Sequence, residues 1–245
     1  MVTSLLIIPS IDLIGGRVAR LLKGDPKYAW FYDNLGNPVT IAKMWESEGA
    51  QLIHIVDLDS ALGRGDNINV IGDIIRALNI PVQVGGGIRS VWRARQLINL
   101  GASRIVIGSL AFKSPETFEA ILRELGHDRI VVALDHLDGR VMIDGWREGA
   151  GIDLRGAAEK FVNMGVRFLL VTSIQRDGTL IGPDINNLSK LLHLNANIIA
   201  SGGVRDLEDL VALKSLGLYG VIVGRALYEG HFSLKEALKI VSPNR

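Results

Sequence analysis

The sequence contains no cysteine, only 7 prolines among 245 residues, and few aromatic residues. The absence of cysteine excludes disulfides, thiolate catalysis and cysteine-ligated metal sites. An excess of either charge is also absent, because 27 Lys and Arg stand against 26 Asp and Glu and the formal net charge is +1. Such a balance creates no strong field, so we expect neither nucleic acid nor an acidic membrane as a partner.

Long apolar runs are missing as well. Nowhere do about 18 apolar residues follow one another, so the sequence predicts no transmembrane helix. The apolar segment at residues 2–8 is too short for the core of a signal peptide and has no basic leader. We therefore expect a cytoplasmic protein.

Short runs of β-branched and other apolar residues are abundant, and the hydrophobic share of 48% allows a large core. The runs hardly alternate with polar residues, which is typical of parallel strands buried on both faces. The predicted strands cover residues 5–11, 52–56, 82–84, 104–107, 130–134, 168–171, 198–200 and 221–223.

Segments with helical spacing lie between these runs, at residues 39–48, 90–100, 114–125 and 206–216. Ser90 can cap one of them, Pro115 suits a first helical turn, and Gly101, Gly126 and Gly217 directly follow the last three segments. Strands alternating with about as many helices predict a closed α/β (β/α)8 TIM barrel, with an open doubly wound sheet as the alternative.

Three motifs occur twice, in the same order. Val84-Gly-Gly-Gly-Ile-Arg89 returns as Ala200-Ser-Gly-Gly-Val-Arg205, and residues 105–111 return at the same spacing as residues 221–227. Near the start of each half, residues 11–18 parallel residues 134–141. The repeat predicts one barrel domain over residues 1–245, built from two half-barrels of about residues 1–125 and 126–245.

Each glycine motif follows a strand and precedes a helix. Glycines there let backbone N–H groups approach an anion, and loops after neighbouring barrel strands lie side by side. The predicted phosphate-binding residues are Gly86, Gly87, Gly108 and Ser109 in the first half, and Gly202, Gly203, Gly224 and Arg225 in the second. Two such sites predict a small-molecule substrate with two phosphates, whereas a tight turn would explain one Gly-Gly pair alone.

Asp12 and Asp135 follow the first and fifth strands, at equivalent places in the two halves. Carboxylates at the C-terminal ends of barrel strands are typical of catalytic residues. One can remove a proton while the other donates one, if their environments separate the two pKa values. For either residue alone, capping of the next turn is the alternative.

Other polar and aromatic residues follow further strands. Thr172 and Asp177 follow the sixth strand and are candidates for binding substrate hydroxyls or orienting the acid and base. Asp57 and Asp59 follow the second strand, where we favour a loop turn for Asp59. Trp146 lies on a predicted long loop after the fifth strand, and we expect its indole ring to stack on a flat substrate.

The aromatic-rich loop at residues 24–37 predicts a lid. Asp66 and Asp184 are predicted to begin helices, and His54 is predicted to belong to the core. No histidine cluster has metal-ligand spacing and no dinucleotide-binding glycine motif occurs, so we expect neither a metal nor a cofactor.

Several of these segments together resemble a known family. They are Pro9-Ser-Ile-Asp12, residues 16–21, His54-Ile-Val-Asp57-Leu-Asp59, Gly85-Gly-Gly-Ile-Arg89, Asp177-Gly-Thr-Leu180 and Ser201-Gly-Gly-Val204. The chain resembles the phosphoribosylformimino-aminoimidazole carboxamide ribotide isomerases of histidine biosynthesis over essentially its whole length. The resemblance implies an Amadori rearrangement of an aminoaldose to an aminoketose, without metal or organic cofactor, on a substrate with a phosphate at each end.

The resemblance also implies residue roles and a monomer. Asp135 would be the acid that opens the ribose ring, Asp12 would take the C2 proton, and Thr172 would support the second carboxylate. Arg89 and Trp146 would hold the substrate through mobile loops. The family pattern is not matched everywhere, because Ser60 stands where Gly is frequent and Asp144 stands where a basic residue is common.

Three alternatives remain open. The cyclase subunit of imidazole glycerol phosphate synthase shares the repeat and both aspartates, but typically has a Lys where this chain has Ile14. A dual-substrate isomerase would also act on phosphoribosyl anthranilate. A non-catalytic sensor of phosphorylated ligands would not need Asp12 and Asp135, whose negative charge opposes phosphate binding.

Overall fold

The computed structural model describes residues 4–22 and 25–242. Its strands are β1 (Leu6–Ile14), β2 (Arg17–Leu22), β3 (Asp25–Phe31), β4 (Ile53–Asp57), β5 (Val82–Gly85), β6 (Arg104–Ile107), β7 (Ile130–Leu137), β8 (Arg140–Ile143), β9 (Glu148–Asp153), β10 (Phe168–Ser173), β11 (Asn197–Ser201) and β12 (Gly220–Val223). Its helices are α1 (Pro38–Glu48), α2 (Leu58–Leu62), α3 (Ile68–Ala77), α4 (Val91–Asn99), α5 (Ser109–Lys113), α6 (Pro115–Leu125), α7 (Leu154–Asn163), α8 (Ile185–Ser189), α9 (Leu207–Ser215), α10 (Arg225–Tyr228) and α11 (Leu234–Val241).

Eight parallel strands of the described chain form a closed ring, in the order β1, β4, β5, β6, β7, β10, β11, β12. The ring closes because β1 pairs with both β4 and β12, and β10 pairs with both β7 and β11. The chain is therefore a (β/α)8 TIM barrel, as predicted, and the open doubly wound sheet is excluded.

Both faces of the barrel strands are buried, which explains why the predicted strands were continuously apolar. Outward side chains such as Ile7 and Ile11 join one large core with the helices, where Phe118 and Phe161 are fully buried. Inward side chains form a second, smaller core inside the barrel, with Ile8 among them.

Two antiparallel hairpins extend the barrel, and the sequence analysis missed both. β1 continues through Gly15 and Gly16 into β2 and β3, and β7 continues through Asp138 and Gly139 into β8 and β9. All four turn residues have positive φ, between 50° and 77°. Gly-Gly and Asp-Gly are typical of such two-residue turns, so a local signal for both hairpins was available.

These hairpins correct two expectations. The predicted lid at residues 24–37 contains strand β3 and a short 3-10 helix at Asp33–Leu35, and residue 24 lies outside the described residues. The predicted long loop after the fifth strand is the β8–β9 hairpin, with Trp146 in its turn.

Helix boundaries mostly follow the predicted caps. The side chains of Ser90, Asp184 and Asp206 accept backbone N–H groups at the starts of α4, α8 and α9. Asp66 does not cap α3, since Asn67 occupies the cap position and the Asp66 carboxylate accepts from the Ile68 N–H instead. In the described part of the chain, none of the helices has both the length and the apolar character to cross a membrane.

Candidate active site

A cavity of about 380 Å³ opens at the C-terminal ends of the barrel strands. Its wall includes both halves of the chain, and every residue predicted for the site lies in it. These residues are Asp12, Gly86, Gly87, Arg89, Gly108, Ser109, Asp135, Trp146, Thr172, Asp177, Gly202, Gly203, Gly224 and Arg225. The structure thus brings together residues that are far apart in the sequence, and their chemical roles remain predictions.

Asp12 lies near the end of β1 and points into the cavity. Ser10, two residues earlier on the same face of the strand, donates its hydroxyl to Asp12 Oδ1 at 2.8 Å. Burial raises the pKa of Asp12 to about 6, and the hydrogen bond from Ser10 opposes that shift. A carboxyl group in this state is ionised at neutral pH and remains basic enough to accept a proton.

Asp135 occupies the equivalent place on β7. The indole Nε1 of Trp146 donates to Asp135 Oδ2 at 2.8 Å, and Thr172 is its register partner on β10. Burial raises the pKa of Asp135, while hydrogen bonds from Trp146 and Thr172 lower it. The second half of the barrel therefore gives its aspartate two donors from two different elements.

Asp177 is a third carboxyl group in the same cavity. Burial raises its pKa to about 7, the charges of Asp12 and Asp135 add to the increase, and Arg20 opposes it. Arg20 lies on β2, lines the cavity and pairs with Glu229 at 2.7 Å. Arg20 was not among the residues predicted for the site, since nothing in the local sequence shows that the hairpin brings it to the cavity.

In the first half, Gly86 and Gly87 lie directly against the β4–α2 segment. A Cβ at Gly86 would overlap the backbone of Asp57, and one at Gly87 would overlap Ser60. Arg89 donates to the carbonyl oxygens of Ser60 and Ala61 at 2.8 and 2.9 Å. The glycines are thus needed for close packing of two loops, in addition to the predicted approach of a ligand.

Asp57 and Asp59 do not line the cavity and instead hold its wall. Asp57 is 1% exposed and accepts hydrogen bonds from the backbone of Ser60 and from the backbone and side chain of Asn67, with Arg93 at 3.3 Å. Asp59 accepts from the Gly15 N–H at 2.6 Å. This network fastens the turn after β1 to the segment after β4, so a structural role describes both aspartates.

The second half repeats the arrangement. A Cβ at Gly202 would lie 2.9 Å from the carbonyl oxygen of Ser173, and one at Gly203 would overlap the backbone of Gly182. Gly108 before α5 and Gly224 before α10 share an unusual backbone conformation, with φ/ψ of −101°/−105° and −108°/−94°. Each pair of neighbouring loops therefore presents glycine backbone to the cavity in the same way.

The turn carrying Trp146 is docked on α5. Asp144, Gly145 and Trp146 all have positive φ, and the Asp144 N–H donates to Ser109 Oγ at 2.8 Å. The Asp144 carboxylate also pairs with Lys113 of α5. These two contacts hold the Trp146 turn against the helix that follows β6 in the first half of the barrel.

The remaining candidates divide between core and surface. His54 lies inside the barrel at the cavity wall, bonded to Gln83 at 3.1 Å, and burial lowers its pKa to about 4, so it is neutral. Tyr32 stacks on Tyr228 in the core, whereas Tyr28 and Trp30 are exposed to solvent. Within residues 4–22 and 25–242, no group of three or more potential metal ligands is assembled.

Comparison with known proteins shows the family. Residues 6–233 match the family model described as histidine biosynthesis protein. A relative from Cenarchaeum symbiosum is 42% identical over 95% of this chain and 98% of its own length, and one from Methanocaldococcus jannaschii is 40% identical over 97% and 99%. A relative from Synechococcus is 44% identical over 98% of this chain and 92% of its own.

All three relatives carry the same name, 1-(5-phosphoribosyl)-5-((5-phosphoribosylamino)methylideneamino) imidazole-4-carboxamide isomerase. The similarity spans nearly the full length on both sides, so it concerns the whole barrel and its cavity. The chain therefore belongs to the histidine biosynthesis protein family and, within it, to the isomerases that bear this name.

Proposed function

We propose that this chain converts the bisphosphorylated phosphoribosylformimino aminoimidazole carboxamide ribotide to its ribulosyl isomer by an Amadori rearrangement. Asp12 and Asp135 are the general base and the general acid in this proposal. The observation that carries it is the placement of two glycine-lined sites opposite each other, with the two aspartates between them.

The strand order supports this placement. The two glycine-lined sites follow β5 and β6 on one side and β11 and β12 on the other, with two strands between them in each direction around the ring. Asp12 on β1 and Asp135 on β7 have three strands between them in each direction, so they lie on opposite sides of the ring. A substrate held by a phosphate at each end would place its middle between the two carboxyl groups.

The reaction can be written with these two groups alone. Asp135 donates a proton to the ribose ring oxygen, the bond from that oxygen to C1 breaks, and the nitrogen lone pair forms a Schiff base. Asp12 removes the C2 proton, and the C–H electrons form an enol-amine that neutralises the nitrogen. Asp12 then returns a proton to C1 while the enol proton passes to Asp135, which leaves a ketone and regenerates both groups.

The protonation states agree with these roles. The raised pKa of buried Asp135 favours the protonated acid, while Asp12, with a pKa of about 6, is ionised at neutral pH. Trp146 donates to Asp135 and can orient it before the ring opens. Asp177, whose pKa is about 7, lines the same cavity and is partly protonated at neutral pH.

The first experiment is an assay of the purified protein with the bisphosphorylated ribotide and, separately, with phosphoribosyl anthranilate, both with a chelator present. Turnover of the first substrate alone supports the proposal, and turnover of both supports the dual-substrate alternative. No turnover by folded protein that still binds phosphorylated ligands would contradict the proposal and favour the cyclase or the sensor. The chelator tests the expected independence from metals.

Replacement of the carboxyl groups tests the mechanism. Asp12→Asn and Asp135→Asn should each lower kcat by about 10²- to 10⁴-fold with little change in KM, because each removes proton transfer and keeps the shape. Unchanged kcat in either variant would contradict the assigned role. A monomer in the cytoplasm, built from two half-barrels, completes the proposal.

A further inference from the structure

The two catalytic aspartates have different neighbours at equivalent places in the repeat. Side chains two residues apart on a strand lie on the same face, so the residue two before each aspartate also faces the cavity. This residue is Ser10 on β1 and Ala133 on β7. A hydroxyl therefore stands beside Asp12, whereas only a methyl group stands at the matching place beside Asp135.

The Ser10 hydroxyl is used for this contact. Its Oγ donates to Asp12 Oδ1 at 2.8 Å, and the residue is only 9% exposed. The backbone of Ser10 is anchored separately, because the Tyr228 hydroxyl donates to the Ser10 carbonyl oxygen at 2.8 Å. Removal of the hydroxyl would thus leave the strand held in place.

We propose that Ser10 is a positioning residue for the general base Asp12. Its hydroxyl holds the Asp12 carboxylate in one orientation and stabilises the ionised form of that carboxylate. The inference rests on the proposed function and goes beyond it, since it explains how one half of a symmetric barrel prepares a base. A hydrogen bond donated to a carboxylate favours the charged form, which opposes the effect of burial.

Other groups around Asp12 do not replace this contact. The charge of Asp12 raises the pKa of Asp177, on the segment after β10, so Asp177 offers Asp12 no stabilising charge, and the positive charge of Arg20 is shared with Glu229. The titratable and charged groups that face Asp12 from the surrounding elements are Arg20 on β2, Tyr32 after β3, neutral His54 on β4, Asp135 on β7, Asp177 after β10, and Arg225 and Tyr228 at α10. Among the described residues, Ser10 alone donates a side-chain hydrogen bond to this carboxylate.

The test is a direct titration of Asp12 in the unliganded protein, by NMR of carboxyl carbons labelled with ¹³C and assigned with Asp12→Asn. In Ser10→Ala the Asp12 titration should move up by about one pH unit, since a hydrogen bond to a charged group is lost. Ser10→Thr, which keeps a hydroxyl, should titrate as the wild type does. The matched variant Ala133→Ser should leave the Asp12 titration in place.

Kinetics give a second readout. The acid limb of kcat/KM should shift upward with the titration in Ser10→Ala, which gives up to about ten-fold lower activity below the limb and little loss well above it. An unmoved Asp12 titration in Ser10→Ala, or an equal loss at every pH, would overturn the inference. If the wild type shows no turnover while the titration still moves, the proposed function fails and the link between Ser10 and Asp12 stands.

Discussion

At the scale of single residues, some glycines of the cavity wall are required for close packing between loops, which their sequence motif does not show. Gly87 has a φ of +64° and lies where any Cβ would overlap Ser60, while Gly203 is in the same situation against Gly182. The motif predicted a backbone approach to an anion. The structure adds that these residues also let two loops of the protein approach each other.

Gly87→Ala should therefore lower both stability and turnover. The new Cβ would displace the backbone of Ser60 and, with it, the hydrogen bond from Arg89, so we expect a loss of about 2 kcal/mol or more in urea unfolding. Gly63→Ala is the matched control, because Gly63 also has positive φ but has open space around its Cβ position. Equal effects of the two substitutions would show that backbone strain alone, and not the collision, limits position 87.

At the scale of elements, the β8–β9 hairpin joins one aspartate to the opposite half of the barrel. In its turn, the indole N–H of Trp146 donates a hydrogen bond to the Asp135 carboxylate. Asp144 of the same turn contacts Ser109 and Lys113 of α5. Ser109 is also a predicted phosphate-binding residue. We therefore predict that a phosphate bound at Ser109 would be coupled to the position of the hairpin through this one hydroxyl group.

Lys113→Met should loosen the docked turn and raise KM by about two- to five-fold, with a smaller change in kcat. The effect is modest because the Lys113–Asp144 pair is partly exposed and solvent screens it. Steady-state kinetics at low and high salt measure it, and high salt should reduce the difference from wild type. Arg155→Met on α7 removes a comparable surface pair with Glu159 far from the cavity and should leave both constants unchanged. Equal effects of the two variants would contradict the docking role.

At the scale of the whole molecule, three half-buried, partly desolvated carboxyl groups around one cavity work against the stability of the empty barrel. The pKa of Asp177 rises from 3.8 to about 7 on folding, so the folded state binds this proton more tightly than the unfolded state does. Its stabilising contribution is fully present below about pH 4 and is lost as the pH rises through about 7. The pKa of Asp12 is also raised on folding, so its stabilising contribution is likewise lost as the pH rises, in this case through about 6.

Asp177→Asn should therefore raise the melting temperature at pH 8 by several degrees relative to wild type, and change it little at pH 4. Differential scanning calorimetry from pH 4 to pH 8 measures the trend. Asp33→Asn is a control of opposite sign, because the exposed pair with Arg17 lowers the pKa of Asp33. A melting-temperature difference for Asp177→Asn that does not depend on pH would contradict a pKa of Asp177 that folding raises to about 7.

Much of the site was predictable because its residues stand at ends of strands. The apolar runs located the barrel strands, the repeated glycine motifs located two sets of loops that line the cavity, and Asp12 and Asp135 lie near the ends of β1 and β7 at matching positions. Local periodicity carries this information, since burial on both faces leaves continuous apolar segments. The positions lining the cavity were therefore readable before any tertiary contact was known.

Contacts between distant segments could not be predicted from the sequence pattern. Arg20 entered the cavity only through the fold of the β2–β3 hairpin, and Arg89 turned out to be tied to the backbone of Ser60 and Ala61. Asp57 and Asp59 proved to fasten the wall, since their partners Asn67 and Gly15 lie elsewhere in the chain. Sequence spacing does not specify which side chains meet across neighbouring loops.

The amino-acid sequence by itself determined the barrel, its repeat, the position of the cavity and the family of isomerases. Tertiary structure alone decided how each aspartate is buried, which donors reach it and how the Trp146 turn is held. The reason is physical, because a strand pattern depends on neighbours along the chain, whereas a pKa depends on desolvation and on charges brought together by folding. Two aspartates in matching sequence motifs thus acquire different hydrogen-bond partners, Ser10 for one and Trp146 for the other.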